Sequence, residues 1–292
     1  MPPSSSKAAI QRTTQLARHL QHHSKMSAQS PISVAPWREA LLKDIRDMSS
    51  PTFTLATLHP QSTQHATSAV VPRLRTVVFR GFWASLDVNP KNQAPLNPSI
   101  FESDLPTITT DVRMEKIGEL LQTTAAGGKN AQSGVGGPIE GVFWAEKSAT
   151  QWRLRGHSYI IGPDIDTDDA ASVRAGLSAH MRATSSANGG DWSWGKELTA
   201  QFGNLSPAMR GSFRNPPPGT PLTQKPEEGL SLGQKVDNLE DELARRNFRV
   251  VVLVPEEVDQ IDLSDPSRHR RWSHKLEATD GSRAWKTTEL WP

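Results

Sequence analysis

The sequence predicts a mainly β fold, a barrel with peripheral helices. About eight segments read as strands, few read as helices, and they do not alternate as in a doubly wound sheet. The most apolar run, residues 249–254, is a short block of valine and leucine suited to a strand buried on both faces. The 22 prolines and 20 glycines call for many loops around a smaller folded unit.

Order is expected to begin at Pro36-Trp37, because proline is favoured in a first helical turn and Trp37, Ala40, Leu41, Ile45 and Met48 share one helical stripe. Residues 52–58 alternate as a strand, and a polar loop leads to a second strand over 73–82 that Gly81 closes. Prolines and asparagines make 87–100 a loop insertion. Residues 103–110 read as a short strand running into a helix over 112–121. The glycine-rich 127–138 lacks the G-K-[ST] ending and the preceding strand of a phosphate loop, so it reads as a flexible linker.

Residues 139–145 and 151–161 form two strands around a polar turn. Asp166-Thr167-Asp168-Asp169 has no EF-hand spacing and reads as a cap, by Thr167 or Asp168, for a helix over 169–182. A helix over 196–202 stands among loops, 215–234 has no packing signal, and 237–246 is a short charged helix. Strands over 249–254, 258–263, 271–276 and 283–290 finish the chain.

Composition excludes several functions. There is no cysteine among the 292 residues, hence no disulfide, thiolate metal site or cysteine nucleophile. No apolar run approaches the ~18 residues of a membrane span. A net charge of +2 gives no global argument for nucleic acid. Residues 1–35 read as a disordered tail. They are basic and have no acidic residue, so they also fit a mitochondrial presequence, or sequence upstream of a start at Met26. The expectation is a cytoplasmic protein, with the mitochondrion as the alternative. His19, His22 and His23 lie in this tail and do not read as metal ligands.

The most informative segment is Arg73-Leu74-Arg75-Thr76-Val77-Val78-Phe79-Arg80-Gly81-Phe82. Alternation puts Arg73 and Arg75 on one face with Val77 and Phe79, and Arg80 on the other. Guanidinium groups beside apolar side chains point to an anion, although surface ion pairing would explain them equally. Thr109-Thr110-Asp111, read as a helix start, with Lys116 in its second turn, would suit a phosphate through free N–H groups, the helix dipole and the ammonium.

Taken in order, the segment 75–82, Thr109-Thr110 with Lys116, and the Gln-x-Arg-x-x-Gly strand opened by Gln151 resemble the pyridoxamine 5′-phosphate oxidase-like FMN-binding proteins. Pro36-Trp37-Arg38 and Pro-Pro-Pro-Gly at 216–219 are most similar to the subgroup described only as an FMN-binding domain. The resemblance covers 36–292 as one domain, with insertions near 87–100, 126–137 and 220–245. It implies a split β-barrel homodimer with FMN in a groove between subunits. By the same resemblance Arg75, Thr76, Val77, Val78, Thr109, Thr110 and Lys116 hold FMN. Gln151 lies near the flavin ring and Arg271 is the last FMN arginine. The family arginine before the lysine is Glu115 here, and Arg113 would supply that charge.

The substrate half of the family pattern is poorly kept. Arg80 stands where the oxidases pair a lysine with their substrate, and is the substrate-binding candidate. The sole tyrosine, Tyr159, lies inside a strand. Ile261 replaces a tryptophan, and Glu289 replaces an arginine near the C-terminus, where it would repel a phosphate ester. The sequence does not identify a catalytic residue, and no metal site, nucleic-acid partner or membrane partner is expected. The sequence therefore reads as an FMN-binding oxidoreductase on an unidentified small molecule, related to the oxidases but not one of them. The alternative is a non-catalytic module that binds FMN or another phosphorylated ligand.

Overall fold

The computed structural model describes residues 32–61, 69–122, 132–184, 190–279 and 282–292. The tail expected over 1–35 lies outside them up to residue 31, as do residues 126–131 of the glycine-rich insertion. Order is already present at Ile32, which is buried, and Ala35 N–H donates to Asp104 Oδ2 at 2.8 Å.

Helix α1 (Arg38–Asp47) follows, buried through Leu41 and Ile45; Ala40 faces out and Leu42 takes its expected place in the apolar stripe. Strands β1 (Thr52–Gln61) and β2 (Ala69–Val78) form a hairpin. The stretch expected to be one strand over 103–110 is two: β3 (Phe101–Ser103) and β4 (Thr107–Asp111). Helix α2 (Glu115–Gln122) leads to the long hairpin of β5 (Gly134–Ala145) and β6 (Thr150–Ile161). Gly134–Pro138 is thus strand, not linker. It needs glycine there, since a Cβ on Gly136 would meet Ser158 Oγ at 2.2 Å.

A helical layer comes next. A 3-10 turn (Asp168–Ala170) precedes α3 (Ala171–Ser178), with no side-chain cap from Thr167, and the helix expected to reach 182 gives way to β7 (Met181–Ala183), paired with β3. Helix α4 (Trp194–Gly203) is capped by Ser193, α5 (Pro207–Gly211) by Ser206 and α6 (Glu242–Asn247) by Asp241. Strands β8 (Phe248–Asp262), β9 (Arg270–Thr279) and β10 (Ser282–Leu290) complete the chain. The two strands expected over 249–254 and 258–263 are therefore one. Pro255 sits inside it at a register shift opposite Gly156, whose missing Cβ makes room: a Cβ there would lie 1.9 Å from Val254 O.

The main sheet has eight strands, in the order β10-β9-β8-β6-β5-β1-β2, with β4 also on β8. Past its end, β2 turns back through Arg80, whose N–H donates to Thr107 O at 2.9 Å, while Thr107 N–H donates to Gly81 O at 2.9 Å. That contact joins β2 to β4 and closes a six-stranded ring. The first half of β8 pairs with β4 and its second half with β9, so the barrel splits along β8. The fold is the predicted split β-barrel.

Its interior is packed by Phe53, Leu55, Phe143, Trp152, Leu154, Val251 and Val258. Helix α1 lies at one end, where Trp152 Nε1 donates to Asp44 Oδ2 at 2.7 Å, and α2 packs on β1 and β5 toward the other. A second cluster outside the barrel joins Val250, Val252 and Phe248 to α3, α4 and α6 through Val173, Leu198, Phe202 and Ala244. Among the described residues no helix is long and apolar enough to cross a membrane.

One buried histidine gives the fold a pH dependence. His180 is 7% exposed, and Arg283 donates to its Nε2 at 2.8 Å. Burial, then the charge of Arg283, then His157 push its pKa from 6.5 down to about 4. Between those values the unfolded chain takes a proton that the folded chain refuses, so stability falls as pH drops through this window, by roughly 3 kcal/mol in full. Urea unfolding of wild type and His180→Gln at pH 7.5 and 4.5 checks this. The variant should lose less stability on acidification, and equal losses would dismiss the effect.

Candidate functional site

Cross-strand register sorts the candidate residues before any side chain is considered. Arg75 opposes Leu55, which opposes Gly141, then Leu154, then Val258. Arg75 is thus the outermost member of a row whose other members fill the barrel interior. Thr76 belongs to the alternate row, through Thr54, Val142, Arg153 and Asp259, which faces outward. Val77 packs on the interior with Phe53 and Val78 follows Thr76 outward. Thr109 and Thr110 also part company. Thr110 opposes Arg249 on the interior side, while Thr109 opposes Val250 on the side of the helical layer.

The expected helix start is corrected in the same region. Thr109 and Thr110 are strand residues, α2 begins at Glu115, and Lys116 stands in its first turn rather than its second. Asp111 prepares the turn, accepting from Arg113 N–H at 2.8 Å. Its carboxylate also takes both Arg113 Nε (2.9 Å) and a terminal nitrogen (2.6 Å), and Arg113 reaches Phe213 O at 3.2 Å. Arg113 is therefore committed to Asp111.

At the α2 end of the barrel the chain gathers Arg75, Lys116 and Thr110. Lys116 Nζ donates to Thr110 Oγ1 at 3.0 Å. Burial first, then the Arg75 charge beside it, hold the Lys116 pKa below its ordinary value, against Asp111 and Glu119. Arg75 donates to Glu119 Oε2 at 2.6 Å, to Arg73 O at 3.2 Å and to the Thr57 hydroxyl. Burial would raise the pKa of Glu119, yet Thr57, Arg75 and His59 outweigh it and hold it below its usual range. Arg249, 3% exposed, stands opposite Thr110 and is pushed down to about 10 by burial, with Asp164 and Asp111 opposing. Sequence reasoning missed Glu119, Thr57 and Arg249. The spacing of Lys116 and Glu119, three apart on one helix, was the available signal.

Gln151 and Arg271 share a different place. Gln151 opposes Trp144 on β5 and Ile261 on β8, and Ile261 opposes Arg271 on β9. This row lies on the outer face, with Trp144 48% exposed. Arg271 is held by Asp259 at 2.9 Å. One chain thus carries its Arg75–Lys116 cluster and its Gln151–Arg271 row on opposite faces of the same sheet.

Arg80 is separate again. It lines a cleft of ≈ 1000 Å³ between α1, the Phe79–Phe82 turn and α4. Burial alone lowers its pKa, its Nε is buried without a hydrogen-bond partner among the described residues, and its terminal nitrogen approaches Met209 Sδ at 3.6 Å. Phe79, Phe82, Leu42, Ile45 and Leu205 give the cleft apolar walls.

Residues 34–162 match the family described as pyridoxamine 5′-phosphate oxidase, FMN-binding domain. Over those residues the chain is similar to that family's FMN-binding domain. An uncharacterized protein of Saccharomyces cerevisiae, YGR017W, is 31% identical over 99 residues, which are 34% of this chain and 31% of that protein; the match therefore spans about a third of the relative's length. The crystal structure of a pyridoxamine 5′-phosphate oxidase-related, FMN binding protein from Nostoc punctiforme superposes with a TM-score of 0.53 at 20% identity. It covers 89% of this chain and all of that one, and the likeness is one of fold.

The departures from the expected substrate pattern have clear surroundings. Tyr159 is buried in β6, and a Cβ on Gly176 would meet its hydroxyl at 2.2 Å. Glu289, expected to repel a phosphate, is instead paired with Arg270 Nε at 2.9 Å. Trp285 packs edge-on against Trp37 with ring centres 5.6 Å apart.

Proposed function

We propose that this chain is an FMN-binding flavoprotein that works as a homodimer and oxidises or reduces a small molecule held at Arg80. The observation that carries the reading is the Arg75–Lys116 pair. Two cations from distant parts of the chain are brought together in a part-buried place where each opposes the charge of the other. A phosphate dianion would relieve that opposition, and Thr110 offers a hydroxyl beside it. FMN fits this end of the site. The amide of Gln151 and the guanidinium of Arg271 suit the polar edge of a flavin ring, but they lie on the outer face. A second copy would have to bring its own outer row to the first copy's phosphate end. Exposed Leu58, Val70, Leu74 and Trp144 supply apolar surface for that contact. Bound flavin would supply the electron transfer; the chain's own residues bind and orient it.

Purified protein should be yellow, and heat should release FMN identifiable by mass spectrometry. A colourless protein that takes up no added FMN would sink the reading. Binding also needs Lys116 protonated. Because its pKa is lowered in the free protein, FMN affinity should start to fall at a pH below the ordinary lysine range. Titration of FMN fluorescence from pH 7 to 10 checks this, and a flat profile would remove Lys116 from the site.

The non-catalytic module remains a second reading, favoured by the burial of Tyr159 in the strand and by Ile261 in place of the expected tryptophan. Mixing the loaded protein with NADH or NADPH in a stopped-flow instrument separates the two. Flavin bleaching followed by turnover supports an enzyme, and an unchanged spectrum supports the module.

A further inference from the structure

Glu119 is a charge of the wrong sign for a phosphate site, and its surroundings explain why it is there. It lies three residues after Lys116 on α2 and is 3% exposed. Thr57 Oγ1 donates to its Oε2 at 2.5 Å, Arg75 donates to the same oxygen at 2.6 Å, and His59 Nδ1 is 3.1 Å from Oε1. Thr57 also accepts from the other terminal nitrogen of Arg75. Glu119 and Thr57 therefore grip the two terminal nitrogens of one guanidinium and fix its plane, while its Nε meets no acceptor among the described residues. Arginine is a long side chain, and an unrestrained one at the end of a strand would lose freedom on meeting a ligand. Holding it in place beforehand removes that cost.

We propose that Glu119 is the positioning residue of the phosphate end, holding Arg75 in place so that the site selects phosphorylated over unphosphorylated flavin. The proposal rests on the FMN reading above. It gives Glu119 no contact with the ligand, so its effect must pass through Arg75 and touch only the phosphate.

The test compares FMN with riboflavin, which lacks the phosphate, by fluorescence titration. Glu119→Ala should weaken FMN by at least about tenfold and leave riboflavin within about twofold, because only a charge-assisted partner has been loosened. Glu119→Gln keeps an oxygen for Arg75 and should stay within about threefold of wild type for FMN. If Glu119→Ala does not fold, Thr57→Val removes the second grip and should show the same selective loss. Unchanged FMN affinity in the folded variant, or equal weakening of both ligands, would overturn the positioning role. Wild-type protein that binds neither flavin would instead defeat the FMN reading itself, and this proposal with it.

Discussion

Asp104→Ala is expected to lower the free energy of unfolding by about 3–5 kcal/mol, the largest effect of any single change considered. Asp104 is 7% exposed and is the hub of the N-terminal segment. Arg182 grips it twice, at 2.7 and 2.9 Å, Arg38 Nε is 2.9 Å from its Oδ1, and Ala35 N–H donates to it at 2.8 Å. Removing the carboxylate leaves Arg182, itself 7% exposed, with Glu102 at 2.7 Å as its one remaining carboxylate among the described residues. The cost is that of a buried, half-compensated cation rather than the worth of the pair. In the native protein burial opposes the Arg182 charge and the bonds to Asp104 and Glu102 outweigh it, raising its pKa; the variant keeps only the Glu102 part of that support. Urea unfolding measures the loss. The double change Asp104→Leu with Arg182→Met should recover much of it, and a loss below about 1 kcal/mol for the single variant would mean that water already screens the group.

Arg75→Ala combined with Lys116→Ala should strip FMN from the protein. Each side chain is assigned a charge-assisted bond to phosphate, and each single variant should lose roughly 1.5–3 kcal/mol of binding, or about 10- to 150-fold. The two share one ligand, and the Arg75 charge already lowers the Lys116 pKa, so the double variant need not equal the sum. Riboflavin affinity should change little. An unaltered FMN titration in the double variant would move the cofactor away from the α2 end of the barrel.

How much of this was legible in the sequence depends on how local each signal is. Alternation announced β1 and β2, because one buried face writes itself into every second residue, and the unbroken apolar run announced the first half of β8 as a strand buried on both faces. Arg75 was conspicuous because it interrupts such a face. The division of 103–110 into two strands was not legible, since β3 and β4 differ only in their partners, β7 and β8. Nor was the passage of β8 through Pro255, which depends on Gly156 in another strand. The helix expected from Thr109 failed for a related reason: hydroxyls beside an aspartate suit a cap, but pairing with Val250 and Arg249 claims both threonines for the sheet. Glu119 was passed over because, by sequence alone, a glutamate beside a lysine on a helix reads as a solvated face. Only the fold places it under Arg75.

The alternation of β8 has one more consequence. Val251 and Leu253 point into the barrel, while Phe248, Val250, Val252 and Val254 point into the helical layer. One strand is thus the floor of one core and the wall of the other, and neither can loosen without disturbing it. The cleft at Arg80 takes one side from each part, α1 from the barrel end and α4 from the helical layer. Its neighbour β6 shares the arrangement, with Trp152, Leu154 and Ile160 in the barrel and Tyr159 and Ile161 in the helical layer, so packing under α4 is linked through two paired strands to the ring of strands that carries Arg75. Molecule-wide cooperativity here has an address, and it is the pair of strands β6 and β8.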